Sequence, residues 1–219
     1  MVAPHPAPLV TDAGTALSEL AATPVRVVDY DSPDATGRMV RLSGSGSDDL
    51  TAELDGAVRW LGVAPDEVLL TALCRTIGRT LGEGVVRVDV ASQRGSMLDG
   101  VPLVCATSER ADITELLHRV HRALADYPAS AAHAPATGVV QVYLNYLGEV
   151  PETAVPVPVQ DSPPGLGHVL ELRVYRTADG VHVDWWYDAD RYEPYTVEEL
   201  ADQFVLALYE VTSDALPPR

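Results

Sequence analysis

The stretch HVLELRVYRTADGVHVDWWYD, residues 168–188, constrains the fold more than any other. Apolar and polar residues alternate on both sides of Asp179-Gly180, and that dipeptide is a strong hairpin turn signal. Successive strand residues point to opposite faces of a sheet. With Asp179 and Gly180 as the loop, Val174 faces Trp185 and Leu172 faces Tyr187. On the other face Tyr175 meets Asp184, Arg173 meets Trp186 and Thr177 meets His182. The hairpin therefore has one apolar face, which another layer must cover, and one hydrogen-bonding face.

VYLNYLGEV, residues 142–150, repeats the pattern. Val140, Val142, Leu144 and Tyr146 share one face; Gln141, Tyr143 and Asn145 share the other. Asn is a poor strand former, so Asn145 admits two readings. Its face looks at water, or it lines a cleft.

The rest of the chain supplies the missing layer. RMVRLS at 38–43 is a strand. A helix capped near Ser47 or Asp48 runs through Trp60 and stops at Gly62. Pro65 opens a second helix, with acids in its first turn and arginines later, and Gly82 ends it. Strands follow at 85–91 and 102–107. Asp112 and Glu115 mark the start of ITELLHRVHRAL, a third helix. A strand at 139–147, a proline-rich connector at 151–167 and the hairpin come next. Thr196 and Glu199 form a capping box for the last helix, whose apolar stripe is Leu200, Phe204, Leu208 and Val211. The order β-α-α-β-β-α-β-β-β-α predicts an α/β two-layer sandwich, one mixed sheet with helices packed on one face. Residues 1–37 read as a loosely held arm with a short strand at Val25–Tyr30, and 38–215 as a single lobe.

Composition narrows the setting. The 219 residues carry a net charge of −17, and all 15 basic residues are arginine. Such a chain is repelled by nucleic acid and by anionic membranes. The charge-free run 127–148 holds two prolines and several polar residues, so it is not a membrane span. MVAPHPAPLV lacks the basic start and apolar core of a signal peptide. Cys74 and Cys105 match no ligand spacing and read as free buried thiols. The expectation is a cytoplasmic protein. No P-loop, dinucleotide-binding glycine pattern or G-x-S-x-G elbow is present, so no cofactor is implied.

The segment from Leu54 to Val211 resembles the C-terminal lobe of condensation and epimerization domains of nonribosomal peptide synthetases, in the chloramphenicol-acetyltransferase-like superfamily. DEVLLTALCRTIGRTLGEGVVRVDV is similar to a helix-to-strand segment of that lobe. VYLNYLGEV looks like the family's "FNYLG" motif. HVLELRVYRTADGVHVDWWYDADRYEPYTVEELADQFVLAL resembles the closing hairpin and helix of epimerization domains. The resemblance implies a lobe that faces a second lobe across a tunnel entered by carrier-bound substrates. The family's catalytic HHxxxDG motif belongs to the other lobe and is absent from this sequence. The acid of the epimerization EGHGRE-type segment corresponds to Ala91, and its His to Gln93. No family catalytic residue carries over.

Candidate chemistry rests on the residues themselves. His168, Tyr143 and Asn145 are the catalytic candidates, with His168 poised between a cleft role and a solvated strand end. Gln141, Arg173, His182, Asp184 and Trp186 are the candidate substrate-binding set. His182 and Asp184 share a face and can do acid–base work together, or simply decorate the surface. Arg173 and Trp186 can stack. His118 and His121 have helical spacing that suits a metal, but no third ligand is near, and ordinary helix positions explain them. Arg75 with Arg79, and Arg119 with Arg122, form basic spots that either steer an acidic carrier protein or pair with neighbouring acids.

Two functions therefore stand side by side. One is a stand-alone half-domain enzyme of natural-product biosynthesis, acting in trans on a carrier-bound or free intermediate by a transfer, cyclisation or proton shift. The other is a non-catalytic docking module for an assembly-line protein. In either, the lobe pairs with a copy of itself as a homodimer, or with a carrier protein or synthetase module.

Overall fold

Each strand's apolar face ends up under helices. A computed structural model of the chain describes residues 23–32, 37–44, 47–91, 97–107, 111–127, 141–150 and 167–218. Along the chain run β1 (Met39–Ser43), α1 (Asp48–Leu61), α2 (Pro65–Thr80), β2 (Gly84–Ala91) and β3 (Met97–Cys105). Then come α3 (Ile113–Ala125), β4 (Val142–Glu149), β5 (Leu170–Thr177), β6 (Gly180–Asp188) and α4 (Pro194–Asp214). This is the order expected from the sequence. The strands form one mixed sheet in the order β1-β6-β5-β4-β2-β3. β4 runs parallel to both β2 and β5, and the other neighbours are antiparallel.

Local chemistry accounts for most helix ends. The Ser47 hydroxyl accepts from Leu50 N to cap α1, which closes at Gly62 with φ 66°. The Glu67 carboxylate accepts from Ala64 N at the start of α2, beside Pro65. Asp112 accepts from Thr114 N and Glu115 N at the start of α3. The last helix departs from expectation. It begins at Pro194, ahead of the Thr196–Glu199 pair, and no side chain caps it. Proline in a first turn lacks the N–H that would otherwise go unpaired, so the helix can start there without a box.

The helix layer is thick around α2. Val68, Leu69, Leu70, Ala72, Leu73, Cys74 and Ile77 are all buried, because α2 packs on α3, α4 and β3 at once. Leu200, Phe204, Leu208 and Val211 of α4 are buried as their spacing predicts, with Phe204 edge-on to Trp185 at 5.8 Å. Cys74 and Cys105 are free, buried and adjacent, and burial pushes the Cys105 thiol up.

Three further expectations are corrected. The hairpin pairs Leu172 with Trp185, Val174 with Val183, Arg173 with Asp184 and Tyr175 with His182, a shift of two residues. A primed two-residue turn needs left-handed central residues, but among the described residues no non-glycine residue has a positive φ. The positive φ falls on Gly180, at 103°, which pairs with Thr177 and leaves Ala178 and Asp179 as the loop. A two-residue shift keeps every side chain on its face. Secondly, Val25–Tyr30 is not a strand; it begins beside a single parallel bridge between Pro24 and Val85, and Val27 and Val28 enter the core. Thirdly, Arg75 is no surface spot. Its side chain is buried and donates to the carbonyls of Ala106, Thr107 and Ala111. The alternative of pairing with acids holds for Arg75 and Arg79, which both meet Glu210, and for Arg119, which meets Glu115. The connector at 151–166 and Gln93 lie outside the described residues. Among the described residues no helix is long and apolar enough to cross a membrane.

Candidate functional site

The face of the sheet opposite the helices carries the polar candidates, and the register lines them up in two rows. Asp89, Tyr143, Glu171, Trp186 and Arg41 are successive cross-strand partners from β2 to β1. Ala91, Asn145, Arg173, Asp184 and Ser43 form the next row. His168 precedes β5, and its segment is held where Val169 N and Leu170 N both donate to the Gln141 carbonyl.

This face is not open decoration. Asp89, His168, Tyr143, Glu171, Arg173, Asp184 and Trp186 are all buried. Burial of charge is tolerable only with close partners, and the rows supply them. His168 Nε2 lies 2.6 Å from Asp89 Oδ2, and the imidazole stacks on Tyr143 at 4.9 Å and 16°. Arg173 donates to Glu171 through Nε at 2.9 Å and through its terminal nitrogen at 2.7 Å. Asn145 Nδ2 donates to the same carboxylate oxygen at 3.2 Å. That answers the sequence question about Asn145, whose amide is spent on a buried glutamate. Arg41 reaches Asp184 at 2.6 Å, and both Arg41 and Arg173 lie 5.8 Å from the centre of the Trp186 ring.

The environment sets the protonation of two groups. Burial raises the Glu171 carboxyl above the ordinary carboxylate range, against the pull of Arg173 and Asn145. Burial, helped by the charge of Glu171, pushes the Tyr143 hydroxyl up to about 12. At neutral pH Tyr143 is thus a hydrogen-bond donor and not a base.

His168, Tyr143, Asn145, Arg173, Asp184 and Trp186 are brought together on one face, with Gln141 contributing a backbone carbonyl. His182 and Asp184, candidates for a shared acid–base role or for surface decoration, do not meet, and Asp184 is buried. His182 stacks on Tyr175 at 5.0 Å and meets Thr177 at 2.8 Å, while Asp184 turns to Arg41. His118 bonds the carbonyls of Leu216 and Pro217, and His121 meets Glu67. Among the described residues no group of three or more His, Cys, Asp or Glu is placed to hold a metal. Asp89, Glu171 and Arg41 were missed from the sequence. Their signal was present in the alternation of VVRVDVA, LELRVY and MVRLS, but nothing local says that β2 lies beside β4.

The fold is that of condensation and epimerization domains, and this chain has the architecture of one lobe. It is similar to the epimerization domain from the third module of tyrocidine synthetase B, with a TM-score of 0.65 at 16% identity, covering 91% of this chain and 56% of that one. It is also similar to the X-domain in complex with OxyB from teicoplanin biosynthesis, with a TM-score of 0.60 at 19% identity, over 92% of this chain and 52% of that one. In sequence, 84% of the chain aligns at 32% identity with a component of the phenolphthiocerol/phthiocerol polyketide synthase of Mycobacterium tuberculosis and of Mycobacterium bovis, spanning 15% of that component's length. No family model matches the chain. It is thus a condensation-domain-like protein related to assembly-line components.

Proposed function

We propose that the chain acts as a condensation-like half-domain of a polyketide or nonribosomal peptide assembly line, moving a proton on a carrier-bound or free intermediate through His168. The Asp89–His168 contact carries this reading. A carboxylate against Nε2 makes that nitrogen the donor, which leaves the lone pair on Nδ1. Nδ1 is buried and has no hydrogen-bond partner among the described residues. The imidazole is enclosed in this conformation, so the reading requires the face over β4 and β5 to open to the intermediate. As a base Nδ1 then takes a proton from its acidic C–H, O–H or N–H, and the imidazolium that forms sits against the Asp89 carboxylate. Returning the proton to a different atom or face completes a shift. In a transfer or cyclisation the deprotonated O or N bonds to the acyl carbon of the intermediate, the bond from that carbon to its leaving group breaks, and the proton passes to the departing atom. Tyr143, protonated, orients a carbonyl oxygen by donation.

A second reading is a docking module without chemistry. It is favoured by the way Arg173–Glu171 and Arg41–Asp184 neutralise each other. His168→Ala in the producing pathway separates the two. Loss of product with folding and partner binding intact supports proton transfer; unchanged yield rejects it and leaves docking. Light scattering on the purified chain decides which surface completes the cleft, with a dimer indicating self-pairing and a monomer a partner in trans.

A further inference from the structure

We propose that the outer edge of β1, together with the groove beside it, receives an extended cationic segment of a partner protein. β1 is an edge strand. Gly44 N donates to Val183 O and Ala189 N donates to Arg38 O, so the even-numbered positions of this segment bond to β6. Alternation in an antiparallel ladder then turns the N–H and C=O of Arg41 and Ser43 outward, where no strand among the described residues pairs with them. Natural edges are usually blunted by lysine, proline, a bulge or a covering element. Met39–Ser43 has neither lysine nor proline, and its one charged side chain, Arg41, is turned away to Asp184.

On the helix side of the same edge lies a groove of about 400 Å³ between β1, β6 and α4. Leu42, Trp185, Ala201 and Val205 make its apolar walls, and Glu198 and Asp202 stand on its rim one helical turn apart. Among the described residues no basic residue lines it. Both carboxylates project from α4 into solvent.

A strand added to β1 would show every second side chain to this groove. Main-chain pairing supplies affinity and the groove supplies selection. The walls select an apolar residue, and the rim selects Arg or Lys two positions away. A second copy of this chain is the wrong occupant, since it would bring its own rim and a share of the −17 charge. An acidic carrier surface is rejected for the same reason. The inference is independent of proton transfer at His168, because β1's edge and α4's rim take no part in it.

The test uses the whole chain and a fluorescein-labelled synthetic peptide, threonine alternating with valine, with arginine replacing the central valine. Anisotropy is expected to show binding that weakens with salt. Ser43→Pro removes one outward N–H and leaves the β6 ladder intact, so it should weaken binding at least about tenfold, while Ser43→Ala should not. Glu198→Gln with Asp202→Asn should weaken it by a similar factor, and a peptide with glutamate for arginine should not bind. Amide exchange in the unmodified protein reads the same edge without mutation, with Arg41 and Ser43 slowing when peptide is added. No binding, unslowed exchange at those amides, or a dimer in light scattering that Ser43→Pro abolishes would overturn the proposal.

Discussion

Asp89 and His168 are 79 positions apart in the chain, yet Asp89 Oδ2 lies 2.6 Å from His168 Nε2. The contact spans β4, because Asp89 comes from β2 and His168 stands at the entrance to β5. Tyr143 of β4 lies under the imidazole and sets its tilt. Three strands thus hold one ring, and the carboxylate sets its tautomer.

Asp89→Asn keeps the shape and removes the charge. A hydrogen bond to a charged group exchanged for a neutral one should cost about 1–3 kcal/mol in urea unfolding. Nitrogen NMR of the labelled imidazole should show the His168 tautomers mixing. A single tautomer, unchanged from the parent protein, would mean that Asp89 does not set it.

Tyr143 gives a pH signature. Its hydroxyl, raised mainly by burial, ionises near 12 in the fold, against about 10 when unfolded. The folded state holds the proton longer, so the contribution is complete below pH ~10 and is lost as pH climbs through the folded value. Tyr143→Phe has no proton to lose, and its stability should fall less steeply over that alkaline interval. Unfolding curves collected across it check the point; parallel slopes for the two proteins would count against the buried, protonated Tyr143.

The sequence was most legible where the signal was local. Alternation assigned every side chain of the hairpin to its correct face, and the caps at Ser47 and Asp112 placed two helix starts. The hairpin register went astray because Asp179-Gly180 resembles a two-residue loop, whereas Gly180 spends its positive φ at the head of β6. A Cβ at Gly180 would meet Ser47 O at 2.7 Å, a close approach from another element that no local pattern announces. The site was legible in part for the same reason. His168, Tyr143 and Asn145 stood out as residue types, but their partners Asp89 and Glu171 are chosen by the parallel pairing of β2, β4 and β5, which is a tertiary fact.

Gly78 illustrates a contact of this kind inside a helix. Glycine costs about 1 kcal/mol in a helix interior relative to alanine, so Gly78→Ala would stabilise α2 in isolation. In the fold a Cβ there would lie 2.5 Å from Ala106 C and 2.6 Å from Ala106 O. Backbone atoms cannot swing aside, so α2 must move off the end of β3. The substitution should destabilise by about 1–3 kcal/mol, as overpacking does. A thermal midpoint at or above that of the parent would refute the close approach.

Arg75 is expected to be the least replaceable charge in the molecule. It donates to Thr107 O at 2.6 Å, Ala111 O at 2.8 Å and Ala106 O at 3.3 Å, and pairs with Glu210 of α4 at 3.1 Å. It therefore ties α2 to the loop before α3 and to the last helix. Burial lowers its pKa and Glu210 opposes that shift, but an arginine stays charged at neutral pH. Arg75→Met fills similar space and strands three carbonyls, while Glu210 keeps Arg79 at 2.6 Å, so the loss should reach at least about 3 kcal/mol. Arg75→Lys should rescue only part of it, because one ammonium cannot reproduce the guanidinium fork. Pairing Arg75→Met with Glu210→Gln should cost less than the sum of the two, since the second change removes a carboxylate already left without Arg75. Strict additivity of the two substitutions in denaturant unfolding would mean that the pair is not coupled, and that the carbonyls alone hold Arg75 in place.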